Sequence, residues 1–206
     1  MNNISNADSY AKSLETRIWK TKGSRFNAAR RLNKKYQFGI TSIAILSVYG
    51  ISIPIIQSIP SIAKCQNVNS LYTAISTILS VFTLVLSLLE GSKNHQLRAE
   101  KLHNNAVMIS SLHRHLEYLI SCESQNIDFQ IKLHGISDEY EELVKECPEN
   151  HEPEDYDLFK LQYQEEFKVG PLTAVYIRLK LLFIDYWLYI FVIGIPPIIT
   201  ILYSSC

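Results

Sequence analysis

The sequence predicts an all-α membrane protein: a transmembrane helical hairpin, long cytoplasmic helices, and a third transmembrane helix at the C-terminus. Three observations predict it. Two uncharged runs lie almost back to back, Ile40–Ala63 and Leu71–Leu89. A third apolar run, Leu181–Tyr203, closes the chain. The charges are segregated. The 206 residues hold 20 Lys+Arg and 20 Asp+Glu, so the formal net charge is zero. Residues 1–39 nevertheless carry nine basic side chains against two acidic ones, and residues 90–180 carry ten basic against 17 acidic. Four segments follow: a basic cytoplasmic arm (1–39), the two-helix hairpin (40–89), a cytoplasmic helical region (90–180) and a C-terminal hydrophobic segment (181–206).

The first run is long enough to cross a bilayer. A helix through Ile40–Ala63 extends about 36 Å at ~1.5 Å per residue, against a hydrocarbon layer of roughly 30 Å. A buried strand suits its Ile and Val content, but strands rarely exceed about ten residues. The alternative of a buried helix pair in a soluble protein is disfavoured by two such neighbouring runs. Basic residues cluster before Ile40, and Lys93, Arg98 and Lys101 follow the second run, whereas the connector Lys64–Ser70 has one lysine. The positive-inside bias then places the N-terminus in the cytoplasm and the connector outside. The third run has Tyr186, Trp187 and Tyr189 at headgroup level and Asp185 near its start, where charge costs less than at the centre. Pro196-Pro197 is expected to bend or break it. It either spans with the C-terminus outside, or is a re-entrant, interfacial or packed helix.

Between the second and third runs the pattern is helical. Leu102, Ala106, Ile109, Leu112, Leu116 and Leu119 recur at three- and four-residue steps, as do Leu133, Ile136, Tyr140, Leu143 and Val144. No proline occurs from Val68 through Glu146, so the second span is free to continue into this helix without a break. CPENHEPED reads as a loop from its two prolines, Tyr156–Lys168 as renewed helix, and Gly170-Pro171 as a joint. Ser13–Lys35 is helix-permissive.

Candidate chemistry is sparse. Seven dispersed glycines exclude the phosphate-cradling loops. Cys65, Cys122, Cys147 and Cys206 lack metal or disulfide spacing. His113 and His115 face different sides of a helix, so no metal site and no cofactor is expected. No nucleophile–base–orienter set can be assembled, and no enzyme is expected. The twelve acids of Asp138–Glu166 read as a solvated face, or as a counter-charge that holds the basic arm or a basic partner. The arm itself suits anionic lipid headgroups better than nucleic acid, and direct nucleic-acid binding is not expected. Thr73, Thr77, Ser80, Thr83 and Ser87 lie along one side of the second span, with Ser47 and Gln57 on the first. Such hydroxyls either let helices approach closely or line a water-filled path in an oligomer.

Two blocks carry a resemblance. RFNAARRL (Arg25–Leu32), then the apolar hairpin, then LSLLEGSKNHQLRAEKLH (Leu86–His103), resembles the SLATT domain family, the SMODS and SLOG-associating two-transmembrane effectors. The resemblance implies a homo-oligomeric bacterial anti-phage effector at the inner membrane, forming a pore when a sensor partner triggers it. That partner would be a SMODS nucleotidyltransferase, a SLOG protein or a reverse transcriptase. The alternative is a membrane-anchored scaffold or sensor that recruits a partner without a pore. By position, Arg25, Arg30 and Arg31 fall in the first signature and Glu90, Lys93, Arg98 and Glu100 in the second. The expected coupling places Glu90 and Glu100 against arm arginines, with Arg30 opposite Glu100. A third apolar segment goes beyond the two-span core.

Overall fold

The structure is a computed structural model that describes residues 2–59, 66–123 and 127–203. All regular structure among them is helical: α1 (Asn2–Gln57), α2 (Gln66–Ser92), α3 (His95–Glu123), α4 (Phe129–Glu146), α5 (Pro153–Gln162) and α6 (Pro171–Tyr203). The end of the first apolar run, Lys64 and Cys65 of the connector, and Cys206 lie outside the described residues. The chain divides into two compact units, one of residues 1–33 and 96–178, the other of 34–95 and 179–206. Helices α1 and α6 each contribute to both.

The first unit is built as the periodicity predicts. Ala11, Leu14 and Ile18 of α1 pack with Ile109, Leu112, Leu116 and Leu119 of α3 and with Phe129, Leu133, Ile136 and Tyr140 of α4. Higher on the same helices, Ala28, Ala29 and Leu32 meet Ala99 and Leu102. Alanines at that seam let the α1 and α3 backbones approach closely.

The second unit has a narrow core. Leu46 and Ile53 of α1 meet Tyr72, Leu79 and Leu86 of α2, with Leu188 of α6 against them. Most of its apolar surface faces outward: Ile51, Ile78, Leu84 and Leu88 are each more than 60% exposed. The stretches Ala7–Gln57 and Tyr72–Cys122 are long and apolar enough to cross a membrane, and only 22% of each apolar window is buried. A soluble core helix would bury most of such a window. Apolar helices with their sides bare are suited to lipid, which needs no further burial.

Three expectations need correction. The helix does not run unbroken from α2 into α3. Asn94 adopts φ 49°, a left-handed conformation that asparagine tolerates and that ends helices. Absence of proline was insufficient, because an asparagine supplies the same stop. The second proline of CPENHEPED is helical rather than loop: Pro153 opens α5, where its missing N–H is no loss. Pro196-Pro197 does not break α6, which continues to Tyr203. Two lost backbone donors leave the other i→i−4 bonds in place. The renewed helix stops at Gln162, and the turns that follow bring Tyr163 and Phe167 onto Trp19.

Candidate functional site

The signature RFNAARRL is a set of anchors inside the first unit. Arg25, 2% exposed, donates from Nη1 to Asn105 Oδ1. Asn105 in turn donates to the Leu143 carbonyl at 2.6 Å, so one polar chain ties α1, α3 and α4. Asn27 donates to the Asp155 carbonyl at 3.2 Å and accepts from Gln162 at 3.0 Å. Arg31 reaches both acids at the start of α5: its Nε is 2.7 Å from Asp155 Oδ1 and its Nη2 contacts Glu152. Asp155 also accepts from the Glu152 backbone N–H at 2.7 Å, closing a capping box. Part of the acidic block therefore holds the basic arm, as a planar guanidinium between two carboxylates favours.

Within the first unit, the expected pairing of Arg30 with Glu100 is not formed. Arg30 bonds Asn27 at 2.8 Å and the Phe26 carbonyl, and Glu100 is exposed. Arg98 pairs with Glu149 at 2.8 Å. Glu90 pairs with Lys93, one turn away. The two signature blocks do meet in the first unit, but through the alanine–leucine seam and the Phe26–His103 ring contact (centroids 5.6 Å). Sequence reasoning weighted opposite charges and overlooked that the small residues between them set the contact.

In the second unit, a charged collar surrounds the ends of the apolar runs. Lys35 Nζ lies 2.7 Å from Asp185 Oδ1, with the aspartate side chain 3% exposed. Glu90, whose side chain is likewise buried, lies beside Tyr189. A Cβ at Gly39 would stand 2.7 Å from Glu90 Oε2, so glycine lets the carboxylate lie against α1 without a shift. Phe38 and Tyr186 close one side, their rings 4.4 Å apart. The start of the first run, the end of the second and the start of the third thus share one end of this unit. Lys35, Gly39, Asp185 and Tyr189 were not singled out as partners from sequence. One signal pointed there: a lone acid in an apolar helix requires a cation.

Below the collar, the hydroxyls are mostly satisfied within their own helices. Ser47 donates to the Ile43 carbonyl, Thr77 to Thr73, Ser80 to Ser76 and Thr83 to Leu79. Back-bonding of this kind lowers the cost of placing a hydroxyl in lipid. Gln57 reaches Thr73 at 3.4 Å, and Ser80 lies across from Gly50. Ser47, Thr77 and Ser87 are exposed.

Helices with bare apolar sides, a hairpin and a charged collar at one end define a helical membrane protein. The sequence family described as SMODS and SLOG-associating 2TM effector domain family 5 matches residues 7–203, and the chain belongs to it. The description assigns it a membrane effector role in association with SMODS and SLOG proteins. No curated protein and no solved structure matches the chain.

Proposed function

We propose that the protein is a triggered effector of bacterial anti-phage defence that oligomerises in the inner membrane and permeabilises it. The carrying observation is the collar. Lys35–Asp185 and Glu90–Tyr189 are buried polar groups at the end of a helix trio that is otherwise apolar and bare. Ionisable groups in such surroundings mark ion paths more often than structural joints. The third apolar helix joins the hairpin in this reading, since Leu188 packs in its core. The first unit and the N-terminus lie in the cytoplasm, where a partner would act on them. That partner is a nucleotidyltransferase, a SLOG protein or a reverse transcriptase.

Thr77, Ser80 and Thr83, on one side of α2, then line the path between copies. Induced expression in cells loaded with a membrane-potential dye tests this. Depolarisation by the native chain, lost when these three become Leu at equal membrane abundance, supports a lined pore. Unchanged potential with co-purification of a partner rejects it in favour of the scaffold.

A further inference from the structure

A second polar constellation lies in the first unit and has no part in the pore reading. Glu15 of α1 and His113 and Glu117 of α3 converge, each offering one ligand atom, and these atoms lie within 4.8 Å of one another. His113 and Glu117 are one helical turn apart, which puts both on one face of α3. His113 is 4% exposed, and its Nδ1 lies 3.2 Å from Glu117 Oε1. Its other nitrogen, Nε2, is buried and completes no hydrogen bond. The ring is thus fixed by packing, with its Nδ1 edge turned toward carboxylate.

The cation present at this point is Lys22. Its Nζ lies 2.9 Å from His113 Nδ1. An ammonium has only protons to donate, so Nδ1 accepts and the imidazole is neutral, the form that ligates metals. The lysine sits on a flexible stem able to swing out. Beside the triad is a cavity of about 570 Å³ lined by Trp19, Lys20, Tyr163, Glu166 and Phe167 among others. It leaves room for the water or anion that would complete a coordination shell.

The geometry points to a site for one divalent transition-metal ion of zinc type, held by Glu15, His113 and Glu117, with the Lys22 side chain as its built-in competitor. One imidazole with two carboxylates suits zinc. Calcium and magnesium prefer shells made of oxygen alone. Two charges cannot share the Nδ1 lone pair, so the ion binds only as Lys22 leaves.

Zinc titration of the purified full-length protein in detergent, followed by calorimetry, tests this. The expected result is one saturable site per chain. Glu117→Gln, an exposed side chain whose loss spares the core, should weaken binding by at least the roughly 10–100-fold that losing an outer-shell support costs, since Glu117 is a direct ligand. Lys22→Met should tighten it by a similar factor. Helix content by circular dichroism confirms that each variant is folded. If Lys22→Met binds zinc no better than the native chain, the competitor role is overturned. If neither binds more tightly than Glu117→Gln, the site itself is overturned. Neither outcome depends on whether the membrane is breached.

Discussion

Asp155→Ala is the sharpest perturbation of the first unit. Asp155 is 1% exposed and holds three things at once: Arg31, the N-cap of α5, and through its carbonyl Asn27. Removing one partner of a buried ion pair costs about 3–5 kcal/mol, because the remaining charge loses its compensation in a desolvated place. Loss of the cap adds about 1 kcal/mol. Glu152 still contacts Arg31 but is half exposed, and it offsets part of the loss. The sum is about 3–4 kcal/mol, a fall of roughly 6–16 °C in Tm for a chain of this length. Thermal unfolding in detergent, read by circular dichroism, measures it, and limited proteolysis between Cys147 and Glu152 reports whether α5 detaches. Replacing both partners, Arg31→Met with Asp155→Leu, should recover much of the loss, since two apolar groups leave no stranded charge. A fall below about 1 kcal/mol would refute the reasoning. So would a double variant as unstable as the sum of the singles.

The glycines should divide by surroundings. Gly23→Ala puts a methyl into the ring of Phe159, which is itself wedged against Trp19 at 4.6 Å, and Gly39→Ala drives Glu90 from its place. Gly23→Ala should cost about 1–3 kcal/mol in denaturation, and Gly39→Ala less, since the flexible end of Glu90 is able to shift. Gly135→Ala, with nothing within 4 Å inside α4, should instead stabilise by about 0.5–1 kcal/mol. Acid should weaken the fold through two histidines. Burial and Lys22 lower the His113 pKa below 6.5, and burial and Arg25 lower that of His151. The unfolded chain then binds protons first as pH falls through 6.5, so this stability is full above 6.5 and is lost below it. Tm measured at pH 7.5 and 5.5 should show the drop, and His113→Gln should flatten it. A Tm that is unchanged or rises on acidification contradicts this sign.

Helix type, the hydrophobic stripes of α1, α3 and α4, and the lipid-facing runs were set by local pattern. A 3.6-residue period and an uncharged stretch of bilayer length are properties of consecutive residues, readable without a fold. The stop at Asn94 was less legible, because asparagine permits a left-handed turn without demanding one. Partner choice was not legible at all. Twelve acids lie between Asp138 and Glu166, and nothing in their order says that Asp155 rather than Glu141 receives Arg31; that depends on α5 lying over α1. The arrangement of helices likewise decided that Glu90 meets Gly39 and Tyr189, and that Glu15 joins His113 from another helix. Charge interactions reach any neighbour the packing supplies, so the residues that carry them were visible in the chain while their pairings were made only by the tertiary structure.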